Sequence, residues 1–342
     1  MNLSRRDILK VAGAAGVVSI TPGLARAQVE GIEKKSVTIA VGGQALVYYL
    51  PLSIAEFKGF YKEEGVDVKI VDFAGGSKAL QAVVGGSADV CSGAFEHTVS
   101  LQNRRQIYSA FVMQGRAPMI TLAVSKKNMP DYKGPADLKG KKIGVTAPGS
   151  STNMLVNFFL AQHGLKPSDV SIIGVGAGTG AVNAVRSGQV DAISNVDPVI
   201  STLEHEGLLE VIVDTRKLED SEAIFGGPMP SSCLYASQKF IDDNPNTCQA
   251  LANAIIKADK WIQEASVEEI MEIVPEQYLL GNPGVYRRAL EASREALSPN
   301  GVIDEAGPQT ALNALDAYIE DLKAENIDLS KLWTDRFVKQ AS

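Results

Sequence analysis

Small hydroxyl and glycine residues stand at two places where an apolar run gives way to a helical pattern. The first reads Ala74-Gly75-Gly76-Ser77; the second runs from Thr146 to Asn153 as TAPGSSTN. Ser77, Ser150 or Ser151 can cap the helix that follows, which leaves other backbone N–H groups free. Glycine lets a ligand approach the main chain. A helix start also offers unpaired donors and partial positive charge, so each junction is a candidate anion cradle. Either junction alone reads better as an ordinary cap, because serine caps are common. Their matched placement in two halves of the chain favours a shared ligand. Arg116 lies close to a predicted strand crossing, where a guanidinium either grips a carboxylate or sulfonate bidentately or stays solvated in its loop. Tyr48, Tyr49 and Phe95 are candidates for pocket walls or for core. Glu96 and Asp197 either hold an amino group or cap helices.

Other chemistries find less support. His97, His163 and His205 are scattered and expected at the surface, and no nucleophile triad or metal-ligand spacing occurs. Neither a metal nor a cofactor is expected. Gly176, Gly178 and Ala181 follow a strand-like run, and Asp197 comes about twenty residues later, near the dinucleotide fingerprint. An exported dinucleotide-dependent oxidoreductase is therefore the alternative reading. Cys91 and Cys233 fall at strand ends and either meet or stay unpaired; with Cys248 the count is odd. The formal charge of -7, with no basic run, argues against a nucleic-acid partner.

The elements that must position these residues are duplicated. Residues 74–93 align with 176–195 without a gap, and Gly76/Gly178, Ala79/Ala181, Ala82/Ala184, Val83/Val185, Gly86/Gly188, Asp89/Asp191 and Ser92/Ser194 are identical pairs. Upstream of each copy the order strand, helix, strand repeats. Val- and Ile-rich runs without polar alternation suit strands buried on both faces. Gly59, Gly65 and Gly164 are helix stops. Two β-α-β-α-β units result, each expected to form a small parallel sheet with right-handed crossovers. The runs QIYSAFVMQ and PMITLAVSK look like a crossing between lobes, and EVIVDT with SSCLYASQKF like the return. Asn244 with Pro245 opens one further helix, and Ser266 with Glu269 forms a capping box. The tail is expected to wrap the first lobe. In open parallel sheets ligands collect beyond the carboxyl ends of strands, which here are residues 42–49, 74–77, 92–96, 146–153, 176–179 and 195–198.

The N-terminus carries a different signal. SRRDILK is a twin-arginine pattern, an apolar run of about ten residues follows, and Ala25-Arg26-Ala27 is an A-x-A cleavage site. Residues 1–27 are read as an export signal and the remainder as a soluble periplasmic protein.

DLKGKKIGV (137–145), PGSSTN, FLAQHGLKPSDV (159–170), SGQVDAI (187–193) and the Asp197-Pro198 pair resemble the periplasmic substrate-binding proteins of the nitrate/sulfonate/taurine class of ABC importers. The resemblance covers about residues 36 to 265. It implies an α/β, two-lobed periplasmic-binding-protein fold of type II-like form, each lobe a small sheet flanked by helices and joined to the other by two crossing strands. Residues 28–118 with 231–342 would make the first lobe and 119–230 the second. It also implies a monomer without catalysis that takes a small anionic solute and delivers it to a membrane permease. The ligand loops of the family fall on Gly42, Gly43, Gln44, Gly76, Ser77, Gly93 to Phe95, Ser150, Ser151, Thr152 and Asp197; Tyr48 and Arg116 join them from the reading above. Many members carry an aromatic residue just before the acidic-Pro pair, where this chain has Val196, and the cysteine-rich signature of thiamine-precursor binders is missing.

Overall fold

The computed structural model describes residues 29–341; the proposed export signal lies outside them. In chain order the first unit is β1 (Ser36–Val41), α1 (Leu50–Phe57), α2 (Phe60–Glu63), β2 (Asp67–Asp72), α3 (Gly76–Val84) and β3 (Val90–Ala94). α4 (Glu96–Asn103) and β4 (Tyr108–Met113) lead to β5 (Ile120–Ser125). The second unit is β6 (Lys142–Val145), α5 (Ser151–Gln162), β7 (Ser171–Gly174), α6 (Thr179–Ser187) and β8 (Ala192–Val196). α7 (Val199–His205), β9 (Leu209–Asp214), α8 (Leu218–Phe225) and β10 (Ser232–Ser237) follow. The tail holds α9 (Gln238–Asp243), α10 (Pro245–Glu264), α11 (Val267–Ile273), α12 (Pro283–Ser293), α13 (Gly307–Asp316) and α14 (Arg336–Ala341). No described helix is long and apolar enough to cross a membrane.

The repeat is legible in the hydrogen bonds. Asp89 accepts the Thr38 N–H at 2.9 Å, and its counterpart Asp191 accepts the Lys142 N–H at 2.8 Å. Each carboxylate thus holds the start of the first strand of its unit against the end of the helix before β3 or β8. Gly86 and Gly188 take φ of 76° and 79°, the left-handed turn that lets the chain double back from helix to strand. Ala79, Ala181, Ser92 and Ser194 are all fully buried.

The two sheets run β2-β1-β3-β10-β4 and β7-β6-β8-β5-β9. The units supply the parallel pairs β1/β2, β1/β3, β6/β7 and β6/β8. Neither sheet is purely parallel, as the unit pattern alone suggested. β10 enters antiparallel between β3 and β4, and β5 enters antiparallel between β8 and β9. Each sheet therefore receives a strand that follows directly from the other sheet, which ties the two lobes together twice.

The tail does not stay on the first lobe. α10 packs on α1, α2 and α14, but α12 packs on α7 and α13 touches both α4 and α5. The Ser266–Glu269 capping box forms. Asn244 sits at the start of α10 without capping it; its side-chain amide donates to the Phe240 carbonyl instead. Cys91, Cys233 and Cys248 are buried free thiols.

Asp259, in α10, is fully buried, and neither carboxylate oxygen has a partner of hydrogen-bond geometry among the described residues. Burial holds this carboxyl well above the usual range, with only partial relief from the nearby Ser298 hydroxyl. A raised folded pKa favours the neutral acid, so its contribution is complete below the unfolded pKa of about 3.9 and is lost as pH rises through the folded value. Asp259→Asn is expected to stabilise the protein by about 1–3 kcal/mol at pH 8. The gain should shrink towards pH 4 in paired thermal unfolding curves.

Candidate functional site

The two serine junctions face each other, and they are spent on one another. The Ser77 N–H donates to Ser150 Oγ at 3.2 Å, and Ser77 Oγ donates to the Pro148 carbonyl at 2.8 Å. Thr152 Oγ1 accepts the Thr146 N–H at 3.1 Å, and Asn153 Oδ1 accepts the Gly149 N–H at 2.9 Å, so these two side chains brace their own turn. Tyr48 is buried, and Ser151 opens α5 half-buried. The donors expected to cradle an anion are thus largely consumed by a latch between the halves.

Glycines bring the junctions that close. A Cβ on Gly75 would lie 2.8 Å from Ala147 Cβ, and one on Gly43, where φ is 101°, would lie 2.5 Å from Ala177 Cβ. A Cβ on Gly42 would strike the Gly75–Gly76 backbone at 2.2 Å. The Val47 N–H donates to the Asp197 carbonyl at 3.0 Å, a further bond across the lobes.

Beside this junction lies a cavity of about 360 Å³, lined by α3, α4, the turn before α5, and Leu315, Tyr318 and Ile319 of the tail. Glu96 opens α4 and is 3% exposed; its Oε1 faces no partner, and burial pushes its carboxyl up to about 7. His97 is 4% exposed. Its Nδ1 lies 3.0 Å from the Tyr235 hydroxyl, and its Nε2 has no partner of hydrogen-bond geometry. Burial lowers its pKa to about 4, although the Gly149 carbonyl pulls the other way, so the imidazole is neutral. Gly93 makes room for this arrangement, because a Cβ there would meet Tyr235 Cε1 and Oη at 3.0 Å. A second cavity, of about 310 Å³ beside β4 and α14, contains none of the unpartnered buried polar atoms. The cavity beside the junction is lined by two residues that carry such atoms, Glu96 and His97.

The expected residues divide. Gly76, Ser77 and Ser150 gather with His97 and Tyr49: a Cβ on Gly76 would lie 3.5 Å from His97 Cε1, 3.7 Å from Tyr49 Oη and 4.0 Å from Ser150 Oγ. Phe95 is wholly core. Gln44 gives its side-chain amide to Glu56 and its N–H to Asp72, away from the cavity. Arg116 is corrected outright. It is exposed, and its Nε donates to the Glu295 carbonyl, so it fastens the tail rather than a solute. Asp197 takes its capping alternative, at the first turn of α7, rather than the ligand one. Its Oδ1 accepts the Ser201 N–H at 2.8 Å, and its Oδ2 pairs with Arg216 at 3.4 Å. That commitment also removes the acidic residue a dinucleotide ribose would need. His97, expected at the surface, is the residue the sequence reading missed. Its signal was its place directly after a strand end and beside Glu96.

A family model described as NMT1-like family matches residues 30–274. The chain belongs to the NMT1-like family. Solved relatives of this NMT1-like chain include a protein from Bordetella bronchiseptica, 66% identical with a TM-score of 0.91 over 91% of this chain and 98% of that one. The alkanesulfonate-binding protein SsuA from Xanthomonas axonopodis pv. citri, bound to MOPS, is 19% identical with a TM-score of 0.68 over 89% of this chain and 100% of that one. The fold is therefore that of the periplasmic binding proteins. Among curated proteins, the binding protein YtlA of Bacillus subtilis is 24% identical over 264 residues, 76% of each chain. Enzymes share the similarity: a 4-amino-5-hydroxymethyl-2-methylpyrimidine phosphate synthase of Saccharomyces cerevisiae is 23% identical over 259 residues, 74% of each chain.

Proposed function

We propose that this protein is the solute-capturing component of an ABC importer, exported to the periplasm by the twin-arginine route on residues 1–27. It closes on one small solute between a first lobe (28–118 with 231–342) and a second (119–230), acts as a monomer and hands the solute to a permease. The observation that carries the reading is the cavity between the two halves, lined from both sides and by a buried carboxyl, Glu96, whose Oε1 has no hydrogen-bond partner among the described residues. An unpaired buried polar group is costly, and a ligand that supplies the partner removes that cost. Anion attraction passes from the helix starts to Arg104, an exposed guanidinium that lines the same cavity. Closure shifts the open–closed balance only through contacts made in the closed form. Solute held by SsuA and the description of YtlA as a binding protein support the same class.

The test is mass spectrometry of small molecules released from freshly purified protein, followed by thermal shift with the solute found. One compound, recovered unchanged and raising Tm on return, is the expected result. A compound that the protein converts to product on incubation would overturn the binding-protein reading in favour of an enzyme.

A further inference from the structure

We propose that the tail from the start of α13 to Ile319 is a lid. It stays with the first lobe, walls the third side of the inter-lobe cavity, and parts from α5 to let a solute in. The lid gates the site of the solute-binding reading above, and the proposal rests on that reading.

Three walls meet at this cavity. α3 and α4 form the first, and the turn into α5 with Asn153 and Asn157 forms the second. The third belongs to neither repeat unit: it is the end of α13, where Leu315, Tyr318 and Ile319 line the space. Leu315 is buried, whereas Tyr318 and Ile319 are half-buried. Burial, and then the nearby Glu96 carboxyl, raise the Tyr318 hydroxyl above its ordinary value, so the tail sets a protonated phenol near Glu96. The lid is fastened at both ends. α13 starts against the return crossing, where a Cβ on Gly307 would lie 3.1 Å from Pro230 Cδ and one on Gly227 2.9 Å from Thr310 Oγ1. Beyond the lid, Asp328 is tied twice to the end of α4: its carbonyl accepts from Gln102 Nε2 at 3.1 Å, and its N–H donates to Gln102 Oε1. The side towards the second lobe is held less firmly. There α13 touches α5, and Lys166 pairs with Glu320 at 3.9 Å with both side chains mostly exposed. An exposed pair adds little, whereas the paired bonds of the buried Gln102 add more, so separation of the lobes takes the lid with α4 and away from α5.

Two amides report the opening without any solute. The Ser77 N–H bonds Ser150 Oγ and the Val47 N–H bonds the Asp197 carbonyl, both across the lobes, so each exchanges with solvent when the lobes part. The test joins lid to second lobe on the full mature chain. Lys166→Cys and Glu320→Cys, at exposed positions, are bridged by a short bismaleimide; the native thiols are buried. Hydrogen exchange of the solute-free protein is then read at single amides by mass spectrometry. The expected result is that the bridge slows both amides about tenfold or more, while each single-cysteine variant treated with the same reagent keeps the parent rates. Tyr318→Ala tests the lid in the opposite direction. It should speed the same two amides at least fivefold and leave amides within the sheets unchanged, which general destabilisation would not do. Parent rates at both amides in the bridged protein overturn the lid, and so does equal acceleration of sheet and inter-lobe amides in Tyr318→Ala. Neither outcome touches the solute-binding reading, because no solute takes part, and conversion of a released compound to product would overturn that reading without altering the exchange rates.

Discussion

Gly75→Val is expected to weaken solute binding at least a hundredfold while leaving the fold intact. Gly75 has φ of 174°, an extended backbone that any residue adopts, so valine introduces no local strain. The obstacle lies across the lobes, where its Cβ would meet Ala147 at 2.8 Å to the side chain and 3.0 Å to the backbone N. Backbone cannot swing aside as a flexible side chain can, so the halves must stand apart. A closed form made rarer by a hundredfold lowers apparent affinity by the same factor, about 2.7 kcal/mol. Calorimetry with the released solute measures the loss. Small-angle scattering should show that the variant keeps its open dimensions when solute is added. Gly134→Ala, at an extended glycine with nothing within 4 Å, is the neutral control. If the valine variant bound as tightly as the parent, the junction of Gly75 with Ala147 would not be part of closure.

Much of the architecture was legible because it is written twice. A fixed offset between Gly76, Asp89, Ser92 and their partners Gly178, Asp191, Ser194 reveals two equal units, and Gly86 with Gly188 and Asp89 with Asp191 do the same structural task in both. The mixed character of the sheets was not legible, because an apolar strand such as β10 carries no mark of the sheet it will join. The site was legible to the level of loops. Sequence located the starts of α3 and α5 but not what faces them, so Ser77 and Ser150 read as donors to a ligand when they bond each other. Arg116 stood near a crossing, yet the direction of a long side chain is decided by the packing around it, and here the Glu295 carbonyl takes it. Lone histidines are usually exposed, which hid His97. Its burial follows from Phe95, the last residue before α4, whose ring is fixed in the core and draws the first turn of the helix inward.

The buried arginine is Arg216, and its loss should produce the largest stability change in the chain. It pairs with Asp197 at 3.4 Å, Glu204 at 3.0 Å and Asp214 at 2.6 Å, with only 11% of its side chain exposed. Three carboxylates surround one guanidinium, and Asp197 is wholly buried. Removing one member of a buried ion pair leaves its partner uncompensated, so Arg216→Met should cost about 3–5 kcal/mol, a fall in Tm on the order of 10 °C. Burial already holds the Asp197 carboxyl above its usual value, with Arg216 drawing it down. Without Arg216 it rises further. A raised folded pKa contributes fully below the unfolded value and loses that contribution as pH rises through the folded one. The variant should therefore suffer most at pH 8 and recover towards pH 4, where Asp197 is protonated. Adding Asp197→Asn to Arg216→Met removes the stranded charge and should restore at least half of the loss at pH 8, a coupling that a double-mutant cycle reads directly. The carbonyl of Asp197 holds the Val47 N–H across the lobes, so the same variant should also bind solute less tightly. Equal destabilisation at both pH values, with no rescue by the second substitution, would show that Arg216 acts through packing rather than charge.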